Sequence, residues 1–69
     1  MEQKEYEKLK EKFLKLVPSV PLNLRNEVIA VVDGKPVDWD VASEEVKRNT
    51  KASKLIVDQL KKVGLLKND

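Results

Sequence analysis

Five carboxylates fall close together in the middle of the sequence: Asp33, Asp38, Asp40, Glu44 and Glu45. Oxygen ligands of this kind bind Ca²⁺ or Mg²⁺, and paired carboxylates can serve as general acid and base. Their spacing does not match the twelve-residue EF-hand loop, and no nucleophile or cofactor-binding loop accompanies them. Helix capping by Asp38 or Asp40, with two glutamates near the helix start, explains most of the cluster. We therefore expect no metal, no cofactor and no catalytic residue.

Cationic side chains concentrate towards the other end of the chain. Residues 47–69 hold seven bases against two acids, a net charge of +5, whereas residues 24–45 hold two bases against six acids, a net charge of −4. Clustered cations bind nucleic acid by releasing counterions from phosphate. The candidate nucleic-acid contacts are Lys47, Arg48, Lys51, Lys54, Lys61 and Lys62. A solvated helix face explains the same charges, because Asp58 interrupts the basic face and no aromatic side chain lies on it.

Composition limits the chemistry of the protein. The 69 residues include no cysteine and no histidine, so a disulfide, a thiolate nucleophile, a Cys/His zinc site and an imidazole base are all excluded. Charged residues make up 38%, chiefly lysine and glutamate, a bias that resembles proteins of heat-loving organisms. The longest apolar run, residues 28–32, is too short to cross a membrane, and the N-terminus lacks signal-peptide order. We expect a cytoplasmic protein that is not an enzyme.

Three apolar side chains are candidate interface anchors: Trp39, Val41 and Val57. The single tryptophan can anchor either a small core or an interface, since its N–H group needs a partner. The two valines fall off the apolar faces of their expected helices. They would leave apolar surface exposed or would cover it with a second subunit. The expected partner is therefore another protein or a second copy of the chain.

Apolar residues at helical spacing predict amphipathic helices over residues 2–17 and 50–63, with a shorter helix over residues 38–48. The predicted apolar face of the last helix consists of Ala52, Leu55, Ile56, Leu60 and Val63. Asn49 or Thr50 is its expected N-cap, and Gly64 is the left-handed residue after its last turn.

The segment from Pro21 to Trp39 permits two interpretations. Asp33-Gly34 can form a two-residue type I′ turn, which pairs Val31 with Pro36, Ala30 with Val37 and Val28 with Trp39. Alternatively, residues 21–33 form a helix that Gly34 ends, with Leu24, Val28, Val31 and Val32 at helical spacing. An isolated hairpin is marginal in water and has two open edges, and no third strand is evident. The lack of a third strand therefore favours the helix.

The resulting fold prediction is an all-α, four-helix single domain covering residues 1–69, with helices at 2–17, 21–33, 38–48 and 50–63. The alternative is an α+β domain with a hairpin over residues 27–41, turned at Asp33-Gly34. In helix order and in its apolar faces at 9–13, 28–32 and 55–60, the chain resembles the small saposin-like proteins, here in a cysteine-free form typical of thermophiles. That resemblance implies lipid binding. Residues 54–66 also resemble the end of a winged-helix recognition helix.

These features together predict a small, non-catalytic interaction module that associates with a protein partner or with itself. Nucleic-acid binding through the basic C-terminal helix, residues 47–62, is the alternative function. A membrane surface and a small-molecule substrate are not expected as partners.

Overall fold

A computed structural model describes residues 2–67, which form three α-helices and one antiparallel pair of β-strands. The elements, in chain order, are α1 (Gln3–Leu16), β1 (Val28–Val32), β2 (Lys35–Asp38), α2 (Trp39–Arg48) and α3 (Lys51–Lys62). Two short 3₁₀ turns, Val17–Ser19 and Leu22–Leu24, connect α1 to β1. The three helices predicted at 2–17, 38–48 and 50–63 are confirmed to within two residues. The all-α, four-helix prediction is wrong, because the fold is α+β.

The hairpin forms because its turn has the backbone geometry that two-residue connections require. Asp33 has φ 51° and Gly34 has φ 76°, so both residues lie in the left-handed region, as in a type I′ turn. The observed strand pairs are Val32 with Lys35, Val31 with Pro36, Ala30 with Val37 and Val28 with Asp38. Two of the three predicted pairs are confirmed. The predicted pair of Val28 with Trp39 is wrong, because a bulge between Val28 and Ala30 shifts the register by one residue.

At the pair of Val31 and Pro36, the β1 edge of the hairpin is bonded by α3 and the β2 edge lacks an N–H donor. On the β1 edge, the N–H group of Val31 donates to Gln59 Oε1 at 2.9 Å, and Gln59 Nε2 donates to the Val31 carbonyl. The α3 side chain therefore bonds both backbone groups that a third strand would bond. On the β2 edge, the residue paired with Val31 is Pro36, which has no N–H group to offer. The sequence favours a helix over residues 21–33 because an isolated hairpin would have two open edges. At the pair of Val31 and Pro36, the β1 edge is bonded by Gln59 and the β2 edge has no N–H donor.

The connection before β1 is held by Arg25, and its leucines stay at the surface. Arg25 Nε donates to the Val20 carbonyl and Arg25 Nη2 to the Val17 carbonyl, both at 3.2 Å, while the Arg25 carbonyl accepts from the Trp39 N–H group at 3.1 Å. Leu22 is 81% exposed. Leu24, which is predicted to lie on the apolar face of a helix over residues 21–33, is 39% exposed.

The core lies between the inner face of the hairpin and the three helices. Its fully buried members include Leu9 and Phe13 of α1, Val46 of α2 and Leu60 of α3. On α3 the buried side chains are Ser53, Ile56, Val57 and Leu60. The predicted face of α3 is therefore rotated, since Leu55 and Val63 are exposed while Val57 is fully buried.

Helix ends follow the capping residues that the sequence indicates. Asp38 caps α2 through its Oδ1, which accepts from the Val41 N–H group at 2.8 Å. Thr50, rather than Asn49, caps α3 by accepting from the Ser53 N–H group at 3.3 Å. Gly64, at φ 86°, is the left-handed residue that ends α3, as predicted. None of the helices in residues 2–67 has the length and apolar character that a membrane span requires.

Replacing Gln59 by alanine is expected to lower the free energy of unfolding by about 1–2 kcal/mol, because the variant loses both hydrogen bonds to Val31. Urea unfolding measures the loss, and hydrogen exchange at the Val31 amide reports the opened strand edge. Gln3→Ala is the matched control, since Gln3 bonds only the exposed Glu7 side chain at 3.4 Å. Equal stability of the two variants would show that α3 does not cover this edge.

Candidate interaction surface

An apolar cleft of about 440 Å³ opens on the surface between the start of β1, the start of α2 and the end of α3. Its lining residues are Glu27, Ile29, Trp39, Leu60, Val63, Gly64 and Leu65. Leu60 is fully buried, so the cleft reaches the core, whereas Val63 is 73% and Leu65 41% exposed. Large apolar side chains of this exposure, grouped around one depression, are typical of a docking surface.

Backbone irregularities place the apolar side chains of this cleft. The bulge before Ala30 contains Ile29, which is half-buried and packs against the core. After α3, the N–H group of Leu65 bonds the Leu60 carbonyl at 2.9 Å and that of Gly64 bonds the Lys61 carbonyl at 3.1 Å. This pair of bonds is the Schellman motif, which reverses the chain direction at a left-handed residue. It returns the chain towards the core, so that Leu66 is buried while Leu65 stays at the cleft.

Trp39 belongs to the core and to the cleft at once. Its ring stacks on the ring of Phe13, with centroids 5.8 Å apart and planes 2° from parallel. Phe13 is fully buried, whereas Trp39 is half-buried and lines the cleft. The Trp39 ring therefore contacts the buried Phe13 of α1 and is also accessible at the surface of the cleft.

The other two predicted interface anchors have different positions. Val41 is 46% exposed in the first turn of α2 and does not line the cleft. Val57 is fully buried and cannot contact a partner. The assignment of Val57 to an exposed surface fails because the apolar face of α3 is rotated from the predicted one. Val63 and Leu65 are the exposed side chains that sequence reasoning missed.

A spacing signal for the true face of α3 exists in the sequence. Ser53, Ile56, Val57 and Leu60 follow the i, i+3, i+4, i+7 pattern of a buried helical stripe. The pattern begins with a serine, which hides it from a search for apolar residues. Ser53 is only 1% exposed, and its hydroxyl lies 2.7 Å from the Tyr6 hydroxyl and 2.6 Å from the Thr50 carbonyl. Hydrogen bonding thus allows a polar residue on the buried face.

The predicted basic set is divided by the structure into two groups. Lys61 and Lys62, at the end of α3, pair with Glu5 at 2.6 Å and with Asp58 at 3.1 Å. Lys47, Arg48, Lys51 and Lys54 lie instead around the corner between α2 and α3. Along α3, Lys54 of one group and Lys61 of the other are about 10 Å apart, at 1.5 Å per residue. Of the corner residues, Arg48 is 3.7 Å from Glu44 in an exposed pair.

The acidic residues have separate structural roles. Asp33 occupies the hairpin turn, Asp38 caps α2 and Asp40 lies in the first turn of that helix. Glu44 pairs with Arg48, and Glu45 accepts a hydrogen bond from the Thr50 hydroxyl. Within the described residues, no three acidic side chains come close enough together to hold a metal ion.

Comparisons with known proteins give no relative to reason from, since no family model matches the chain and neither a curated protein nor a solved structure is detectably similar to it.

Replacing Tyr6 by phenylalanine or Ser53 by alanine is expected to lower the free energy of unfolding by about 1 kcal/mol each, because each removes one member of a buried hydroxyl pair. The double variant is expected to lose less than the sum by about 0.5 kcal/mol, since it removes both hydroxyls together. Urea unfolding of the four proteins completes this cycle. Strictly additive losses would show that the two hydroxyls do not interact.

Proposed function

We propose that the protein is a non-catalytic interaction module that forms a homodimer through the apolar cleft. The observation that carries the proposal is the cleft itself, where Val63 and Leu65 are exposed beside a half-buried tryptophan. The absence of histidine and cysteine from the sequence supports a non-catalytic role, because these residues are the most frequent bases and nucleophiles.

The charges around the cleft favour a second copy as the occupant. Glu27 lines the cleft on the hairpin side, in the segment of net charge −4. Lys62 lies two residues after Leu60 on the α3 side, next to Asp58 and in the segment of net charge +5. In a two-fold interface, each residue i that contacts residue j of the partner is matched by j contacting i. A two-fold axis through the cleft therefore brings the acidic side of one copy to the basic side of the other.

The size of a stable interface indicates how far the contact must extend beyond the cleft. A stable interface covers about 800 Å² on each partner, which is more than one cleft provides. The total accessible surface is 4764 Å², so such an interface would occupy about one-sixth of it. It would extend from the cleft over both charged rims. Opposite charges at the rim then fix the orientation of the two copies.

Sedimentation velocity of the full chain over a concentration series tests the proposal. We expect dimers that dissociate on dilution, and we expect Val63→Asp to be monomeric, because it places a charge in the apolar interface. Leu22→Asp is the matched control, since Leu22 is even more exposed but does not line the cleft. Circular dichroism confirms that both variants fold. A monomeric wild-type protein at millimolar concentration, or equal effects of the two variants, would overturn the homodimer.

Charge reversal tests the orientation of the copies. Glu27→Lys and Lys62→Glu are each expected to weaken the dimer severalfold by placing like charges across the interface. The double variant is expected to recover most of the wild-type dissociation constant, because the charges are again opposite. Failure of the double variant to recover would contradict the two-fold arrangement.

A further inference from the structure

A second cleft, of about 320 Å³, lies where the first half of α1 meets the corner between α2 and α3. Its lining is polar and consists of Gln3, Tyr6, Glu7, Lys10, Asn49 and Lys54. Two of these six side chains are cations and one is an anion. No residue of this set lines the apolar cleft, so the two clefts share no lining residue.

Both lysine ammonium groups are held in place by uncharged neighbours. Lys10 Nζ donates to Asn49 Oδ1 at 2.6 Å, and Lys54 Nζ lies 5.8 Å from the centroid of the Tyr6 ring. Within residues 2–67, neither lysine forms an ion pair, whereas Arg48, Lys61 and Lys62 of the predicted basic set each face a carboxylate. Among the described residues, no ion pair therefore offsets the charge of Lys10 or Lys54 at the cleft. Aromatic contact stabilises a cation without neutralising it.

Asn49 adds a fixed hydrogen-bond donor to the cleft. The Tyr6 hydroxyl donates to Asn49 Oδ1 at 3.1 Å, and Lys10 donates to the same atom. A lysine can only donate, so this oxygen is the acceptor and the amide nitrogen keeps two hydrogens for another partner. Tyr6 is 3% exposed and is itself held by Ser53, so the donor is supported from the core. The arrangement of two ammonium groups and one amide donor suits an anion.

The positive field extends past the cleft along the corner. Lys51 lies one turn before Lys54 on α3, and Lys47 lies in the last turn of α2, two residues before Asn49. The first turn of α3 contains no acidic residue, and the positive end of a helix dipole adds to the attraction for anions. The one carboxylate that lines the cleft, Glu7, accepts from Gln3 Nε2 at 3.4 Å. A single small anion needs only Lys10 and Lys54, whereas cations on either side of the corner suit a chain of regularly spaced charges.

We propose that this cleft and the adjoining corner bind the phosphate backbone of nucleic acid without sequence preference. Lysine ammonium groups act as point charges on phosphate, and phosphate contacts position a protein without reading bases. No aromatic ring is available there for base stacking, since Tyr6 is buried and Trp39 lines the other cleft. The binding residues are Lys10, Lys47, Lys51 and Lys54, with Asn49 as a neutral donor. Lys10 is added to the set predicted from sequence, and Arg48, Lys61 and Lys62 are left out because each faces a carboxylate.

Fluorescence anisotropy with a short labelled DNA duplex of random sequence, at low salt, tests this site. We expect the variant carrying Lys10→Ala and Lys54→Ala to bind at least about tenfold more weakly and to reduce the salt slope by about two. The control variant carries Lys15→Ala and Lys35→Ala, which removes the same number of charges at two exposed positions that line neither cleft, and we expect a change below about twofold because neither lysine lies at the corner. Glu7→Gln is expected to tighten binding, since it removes the anion of the cleft.

A charge-preserving variant and an acidic competitor distinguish a phosphate-binding site from a general effect of charge. The variant carrying Lys10→Arg and Lys54→Arg keeps the charges and is expected to retain binding, which shows that the alanine variant loses binding through its charges. An acidic polypeptide competitor is expected to displace DNA poorly. The proposal is overturned if the duplex does not bind at low salt, if both alanine pairs weaken binding equally, or if the acidic polypeptide competes as well as DNA does. Equal weakening would indicate net charge rather than a site.

Discussion

Contact between the Gln59 side chain and the backbone of Val31 is the constraint on which the arrangement of the other elements depends. A two-stranded hairpin alone is marginal in water, because its edges and one face remain unsatisfied. Here α3 supplies the missing hydrogen bonds on one edge, while Ile56, Val57 and Leu60 cover the inner face. Once α3 is fixed against β1 in this way, its last turn must end beside Ile29 and Trp39. The apolar cleft is a direct result of that placement.

A second set of contacts fixes the opposite end of α3. Tyr6 reaches from α1 to Asn49 and Ser53, so that one buried hydroxyl connects α1 to both other helices. Further along α1, the stacked rings of Phe13 and Trp39 connect α1 to the start of α2. The two clefts of the protein therefore lie at the two ends of α3, one apolar and one polar. Each is lined by residues whose positions depend on packing rather than on a mobile loop.

Much of the helical structure can be predicted from the sequence, because it depends on local signals. The spacing of Tyr6, Leu9 and Phe13, the capping residues Asp38 and Thr50, and Gly64 all specify their structures within a few residues. The hairpin turn is equally local, and its register was predictable up to the bulge. What could not be predicted is the bonding of the β1 edge by α3. That depends on Gln59, which is 28 residues from Val31 and has no sequence pattern linking the two.

The candidate surfaces show the same limit. A search for apolar residues gives the wrong face of α3, because a serine bonded by Tyr6 occupies the first buried position. Ion pairs likewise determine which lysines lie beside a carboxylate. Lys61, for example, pairs with a glutamate that is 56 residues away in the sequence. Lys10 carries no signal in its own segment, since it is one of five lysines between residues 4 and 15. Long-range contacts thus select the functional candidates from many equivalent residues.

The corner at Asn49 and Thr50 also has a consequence for how the chain can vary in length. Asn49 takes the left-handed position that ends α2, and Thr50 bonds the Glu45 carbonyl while it caps α3. The connection therefore contains no residue without a structural role, and an inserted residue would disrupt two helix ends and the contact with α1 together. Leu22 and Asn23, which follow the Val20 carbonyl that Arg25 bonds, are both solvent-exposed. Insertions, affinity tags and permuted chain ends should be accommodated there and rejected at the corner.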